Sequence, residues 1–192
     1  MHWTFCDTDF FSIDDLQQAY ETLSPSRKEH IDRLKKQEDK CRSLTGELLV
    51  QKLLKEQYSV FDAVLHRGTN GQPYFTGCDR YVSISHCDKK VACAVSQHPV
   101  GIDIEKLRPV NLKLYHHICT AEETEYLLQG NRALEDQPCE DAAVIRRFFE
   151  IWTAKEAYFK KLGTGITDLK SVNTLSLQGQ LHIIDGYMVQ IF

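Results

Sequence analysis

Val100-Gly101-Ile102-Asp103-Ile104-Glu105 reads as a short strand with two carboxylates on one face. Successive side chains of a strand point to opposite sides, so Asp103 and Glu105 share one side while Ile102 and Ile104 share the other. Two like charges on one strand repel unless a cation or solvent relieves them. The apolar setting of Val100, Ile102 and Ile104 argues against a solvated sheet surface. Gly101 admits a ligand or another backbone at close range. Farther along stands Trp152-Thr153-Ala154-Lys155-Glu156-Ala157-Tyr158-Phe159-Lys160. On a helix Glu156 and Lys160 are i and i+4, and Trp152 lies one turn earlier on the same face. Alone, that pair is an ordinary surface Glu–Lys contact. Phe148, Phe149, Ile151, Trp152, Tyr158 and Phe159 make the helix apolar and predict burial on most sides. Three carboxylates beside fixed cations are what holds Mg²⁺ against a charged phosphate ester.

Around these motifs the chain alternates helices and strands. Residues 1–11 predict an edge strand and turn. Ser12 caps a short helix through Tyr20. Ser24-Pro25-Ser26-Arg27 starts a second, basic helix carrying Arg27, Lys28, Arg33, Lys35 and Lys36. Residues 38–58 place Leu44, Leu48, Leu49, Leu53 and Leu54 at helical spacing. Gly46 inside that pattern predicts a close packing contact, since glycine there costs about 1 kcal/mol relative to alanine. Residues 68–73 form a turn. Residues 81–85 and 91–95 are two strands joined through His86-Cys87-Asp88-Lys89-Lys90. Pro109 ends the strand at 100–105. Thr120-Ala121-Glu122-Glu123 opens a helix over 120–129, 130–142 is a polar mobile loop, and 144–162 is a strong helix. Residues 171–192 give two or three strands with a tight turn at Asp185-Gly186. The order suggests a duplicated α+β unit with its seam near residue 105.

Composition narrows the class. The 192 residues are 42% hydrophobic and 26% charged, with a formal net charge of −4. That suits a soluble globular protein and argues against a general nucleic-acid binder, which would carry a basic excess. No apolar run reaches the roughly 20 residues that span a bilayer. The first residues lack the basic and apolar regions of a signal peptide. The seven cysteines are irregularly spaced without a CxxC, which predicts free thiols in a reducing cytoplasm. His116-His117-Ile118-Cys119 lacks a second ligand pair and makes a weak zinc signal. Ser85-His86 ends a strand, where His86 can reach a cleft and bond a phosphate oxygen or take a proton. The chain contains no GxSxG elbow, P-loop or GxGxxG.

The paired motifs resemble those of the 4′-phosphopantetheinyl transferase superfamily, of the surfactin-synthetase-activating type. Val100–Glu105 matches its V-G-(I/V)-D-(I/V)-E motif, and Trp152–Lys160 matches W-(S/T)-x-K-E-(A/S)-x-x-K. Gly71-Gln72-Pro73 resembles its G-K-P turn, Ile84-Ser85-His86 its S-H strand end, and Glu38-Asp39, Arg42 and Gly46 its E-D-x-x-R-x-x-x-G helix. The resemblance implies an α+β fold of two similar halves, 1–104 and 105–192, related by a pseudo-twofold axis in one monomeric chain. It implies transfer of the phosphopantetheine arm of coenzyme A, lying between the halves, to a serine of an apo acyl or peptidyl carrier protein. Adenosine 3′,5′-bisphosphate would be released.

Carried over, Asp103, Glu105 and Glu156 would ligate Mg²⁺, and Lys155 and Lys160 would neutralise phosphate charge. His86 would bond a phosphate with Ser85 beside it, and Glu156 would act as the base, directly or through water. Arg27 and His30 fall where the family binds the 3′-phosphate. Asn70, Gly71 and Gln72 would lie along the adenine and ribose, with Ser43 near the nucleotide. The chain departs from the pattern where Gln72 replaces a lysine and His30 a more basic residue. It also ends at Phe192, which predicts a shortened C-terminal half. Lys106, Arg108, Lys113 and His116 are candidate contacts for an acidic carrier helix. Two rival readings are a non-catalytic coenzyme A or carrier-binding module and a metal-dependent phosphodiesterase.

Overall fold

A computed structural model describes residues 1–130, 138–165 and 168–192. The architecture is mixed helix and sheet. Strand β1 (His2–Asp7) leads into helices α1 (Ile13–Thr22), α2 (Pro25–Arg33) and α3 (Gln37–Tyr58). A hairpin of β2 (Val64–Arg67) and β3 (Pro73–Thr76) follows, then β4 (Tyr81–Cys87), β5 (Lys90–Ser96) and β6 (Ile102–Lys106). The remainder comprises β7 (Val110–Asn111), α4 (Tyr115–Ile118), α5 (Ala121–Leu128), β8 (Pro138–Cys139), α6 (Ala142–Leu162), β9 (Gln180–Ile184) and β10 (Tyr187–Ile191).

The main strands form two antiparallel sheets, ordered β1-β5-β4 and β6-β10-β9. As its aromatic run predicts, β1 is an edge strand. Helix α3 covers the first sheet through Leu49, Val50, Leu53 and Leu54, which meet Val82, Val91, Cys93 and Val95. Gly46 makes the contact its position predicts, because a Cβ there would lie 3.2 Å from Ile84 Cγ2. Helix α6 buries Val144, Ile145, Phe148, Phe149 and Ile151 against α4, α5 and Met188 of β10. A third cluster joins the sheets, with Ala92 and Ala94 of β5 against Ile102, Ile104, Val189 and Ile191. Small residues on β5 let the second sheet approach.

Three sequence expectations change in detail. His86 and Cys87 belong to β4, and the connection is the two-residue turn Asp88-Lys89 with Asp88 at φ 53°. This extension carries His86 in a fixed strand position. The 68–73 turn closes a hairpin whose strands were not foreseen, because they are only four residues each. The 130–142 segment lies largely outside the described residues, but its end, β8, pairs with β7. The turn at Asp185-Gly186 joins β9 to β10 as expected, with both residues at positive φ.

Candidate active site

Strands β4 and β6 carry the site. They lie side by side without a shared backbone ladder and are stitched by short polar side chains from alternate positions of β4. Ser83 Oγ accepts the Ile102 amide at 3.0 Å. Ser85 Oγ donates to Asp103 Oδ1 at 2.7 Å. The Cys87 thiol donates to Glu105 Oε2 at 3.1 Å. The two-residue strand period puts all three on one face, opposite β6.

Gly101 sets the other wall. A Cβ there would lie 1.8 Å from the Ala157 carbonyl oxygen of α6. The close approach that glycine permits is therefore to a helix backbone. It brings the Glu156–Lys160 face of α6 beside Asp103. Lys160 Nζ donates to Asp103 Oδ1 at 2.7 Å and to Ser85 Oγ at 2.9 Å. Asp103 is buried, and its Oδ2 has no hydrogen-bond partner. Burial pushes the Glu156 carboxyl up to about 7, and the neighbouring Asp103 and Glu105 charges add to the rise against Lys160. Both oxygens of Glu105 are engaged: Trp152 Nε1 donates to Oε1 at 3.2 Å, while Cys87 and Arg108 reach Oε2.

These groups line a cavity of about 520 Å³ together with Arg67, Asn70, Gly71, Gln72, Ser85 and His86. His86 is exposed at its wall. Partial desolvation and the cations Arg42, Lys160 and Arg67 lower its pKa, leaving a neutral imidazole able to donate one N–H at pH 7. The cavity thus unites nine residues expected in the site: Asn70, Gly71, Gln72, Ser85, His86, Asp103, Glu105, Glu156 and Lys160.

Four others stand apart. Lys155 is the correction: it is fully buried, pairs with buried Glu123 at 2.8 Å, and donates to the Leu169 and Val172 carbonyls. Five residues along a helix turn a side chain well away from the face of Lys160, so Lys155 ties α6 to α5 and the 168–176 loop. Arg27 is buried, with Nε 3.2 Å from Glu47 Oε2 and Nη2 3.3 Å from Ser43 Oγ. Arg27, His30 and Ser43 do not line the cavity. Among the candidate carrier contacts, Lys106 pairs with Asp88 and Arg108 with Glu105. Sequence reasoning missed Arg67 and the stitching role of Ser83 and Cys87. The alternation of small polar residues in β4 was the available signal for the latter.

The donors in the cavity are hard oxygens with an excess of negative charge, a set suited to Mg²⁺ and poorly suited to zinc. The partnerless Asp103 oxygen and the raised Glu156 fit a cation. Among the described residues, no three His, Cys, Asp or Glu side chains are already gathered as a ligating group.

The profile of the 4′-phosphopantetheinyl transferase superfamily matches residues 99–183, and that of the 4′-phosphopantetheinyl transferase N-terminal region matches residues 11–98. The chain belongs to the 4′-phosphopantetheinyl transferase superfamily. It is 36% identical over 130 residues to the 4′-phosphopantetheinyl transferase gsp of Aneurinibacillus migulanus, which covers 67% of this chain and 51% of that protein. It is 29% identical over 150 residues to Sfp of Bacillus subtilis (strain 168), covering 76% of this chain and 62% of that protein. Identity to psf-1 of Bacillus pumilus is 32% over 132 residues, 67% of this chain and 53% of the relative. The matches therefore span between about half and three fifths of these relatives' lengths. Among the described residues, no helix is long and apolar enough to cross a membrane.

Proposed function

We propose that this superfamily member transfers the 4′-phosphopantetheine arm of coenzyme A to a serine hydroxyl of an apo acyl or peptidyl carrier protein, with Mg²⁺, releasing adenosine 3′,5′-bisphosphate. The observation that carries the reading is the convergence of Asp103, Glu156, Lys160 and His86 on one cavity between two sheets. The fold would consist of two pseudo-twofold halves, 1–104 and 105–192, acting as a monomer.

Asp103 and Glu156 would hold Mg²⁺ first. Glu105 would join by exchanging one of its present partners. Held there, the ion would supply charge neutralisation to the pyrophosphate of coenzyme A as its bridging P–O bond breaks. Lys160, already held by Asp103 and Ser85, would take up developing negative charge. Neutral His86 would donate to a phosphate oxygen. Glu156 would accept the serine proton, directly or through water. The serine oxygen then attacks phosphorus, and the bisphosphate departs with the bonding electrons. Positioning and electrostatics suffice for such a displacement.

The test is intact-protein mass spectrometry of an apo carrier incubated with coenzyme A, Mg²⁺ and this protein, beside a chelator control. A carrier gaining one phosphopantetheine only with metal supports transfer. Bisphosphate formed without carrier favours hydrolysis. Bound coenzyme A with no gain across several carrier classes favours a binding module. Asp103→Ala is expected to abolish turnover, and a full rate in that variant would refute the metal assignment.

A further inference from the structure

Helix α6 has a second face that opens on a cavity. At about 3.6 residues per turn, Glu150, Ile151 and Ala154 fall across the helix from Trp152, Glu156 and Lys160. They line a cavity of about 260 Å³ with Leu175, Leu181, Gln190 and Phe192. It shares no lining residue with the catalytic cavity. Its floor is Gln190 of β10, which stands in register between Asp103 of β6 and Leu181 of β9. Gln190 is 7% exposed, and among the described residues its amide has no hydrogen-bond partner. That amide opens on the cavity. Gly179 makes room for it: a Cβ there would lie 2.4 Å from Gln190 Nε2 and 2.6 Å from Phe192 Cε1. The rim is apolar, with Leu175 47% and Leu181 38% exposed. The charged residue of the lining, Glu150, is already engaged by Arg146 at 2.9 Å and by the Tyr126 hydroxyl.

We propose that this cavity is a peptide-binding site. It takes one leucine-sized aliphatic side chain from an extended, uncharged segment of a partner protein, while Gln190 pairs with the peptide group beside it. A buried amide without a partner costs free energy that leucine at the same position would not. A ligand that completes the amide removes that cost. The side-chain amide presents a donor and an acceptor next to each other, the complement of a peptide C=O and N–H. Ile151, Ala154 and Phe192 receive the aliphatic group, and Leu175 and Leu181 flank it. The volume falls below the roughly 300–1,000 Å³ of sites that enclose a whole small ligand, so the site suits one residue of a chain. With Glu150 already paired, the cavity holds no free charge for an ionic side chain. The inference stands apart from the transfer reading, because the two cavities share no residue.

Amide NMR of the isotope-labelled whole chain tests this, with acetyl-Ala-Leu-Ala-amide as the probe. Saturable shifts are expected at the Gln190 side-chain amide and at the Gly179 and Leu181 backbone amides. Acetyl-Ala-Ala-Ala-amide and acetyl-Ala-Asp-Ala-amide should bind at least about 10-fold more weakly, since neither buries an aliphatic side chain. Gln190→Leu keeps the packing and should weaken the leucine probe about 5- to 10-fold, the loss of neutral hydrogen bonds. Leu181→Ser, at the exposed rim, should weaken it as well. Absence of saturable shifts with millimolar leucine probe overturns the site, and so does equal binding of the aspartate probe. Undiminished binding in Gln190→Leu overturns the role of the amide, leaving a solvated side chain. Shifts at Gln190 that depend on protein concentration without peptide would make a second copy the occupant and overturn the partner assignment. A chain that fails to modify any carrier but binds the leucine probe would leave this inference standing.

Discussion

Replacing Gly101 with alanine adds one methyl group at the place where β6 meets α6. Its Cβ would sit 1.8 Å from the Ala157 oxygen, 2.6 Å from the Lys161 nitrogen and 2.9 Å from the Ala157 carbon. All three are backbone atoms of a 21-residue helix, so no side-chain rotation can relieve the clash. Real Cβ atoms essentially never come within 3.0 Å of such atoms, so strand and helix must separate by at least about 1.2 Å. Gly101 is not at positive φ, so the penalty is steric. Overpacking of this kind costs about 3 kcal/mol, which for a chain of this size lowers Tm by about 6 to 12 °C. The same separation carries Lys160 and Glu156 away from Asp103. A displacement near 1 Å at reacting groups costs about 100-fold in rate. The assays are calorimetric unfolding and carrier-modification rate at a temperature where the variant remains folded. Gly101→Ala with wild-type Tm and rate would refute the argument that this glycine sets the depth of the site.

Lys155 and Lys160 should separate in the same assays. Lys155→Met strands the buried Glu123 carboxylate and should lower stability by about 3–5 kcal/mol in urea unfolding. Lys160→Met, on a partly exposed cavity residue whose loss leaves Asp103 bonded to Ser85, should lower stability less than Lys155→Met does and lower the transfer rate far more. A strong stability loss only in the Lys160 variant would reverse the assignment. Glu156 gives a pH prediction for the metal-free protein. Its folded pKa, about 7, lies above the ordinary glutamate value of 4.5. Its stabilising contribution is therefore complete below the unfolded value and is lost as pH rises through about 7. Glu156→Gln should gain stability relative to wild type between pH 5 and pH 8, measured by urea midpoints, and a difference constant with pH would contradict it. Cys87→Ala removes a donor to Glu105 and should lower carrier-modification rate several-fold, with Cys87→Ser restoring most of it. A serine variant as slow as alanine would show that this hydrogen bond does not position Glu105.

Much of the site was legible because its signals are local. The strand alternation of Val100–Glu105 and the helix spacing of Glu156 and Lys160 each put charges on a defined face. Both elements form where expected, as β6 and α6. Gly101 and Gly46 signalled close contacts, and both are close contacts. Lys155 was misjudged because its motif neighbours suggested a shared role. Helical rotation alone separates it from Lys160, but only the partner Glu123, 32 positions earlier in the chain, shows where it goes. Arg67 escaped notice because its strand is four residues long, too short for a period to stand out from the turn beside it.

By itself the sequence determined the five longer helices, most of the strands, and the identity of the acidic strand and its partner helix, since these follow from spacing along one element. Tertiary structure decided which charges face one another. Asp103 meets Lys160 across 57 positions and Ser85 across 18, and Glu105 meets Trp152 across 47. Those distances depend on how closely two sheets and a helix pack at Gly101. No local pattern encodes that depth, because it is set by atoms brought together only when the chain has folded.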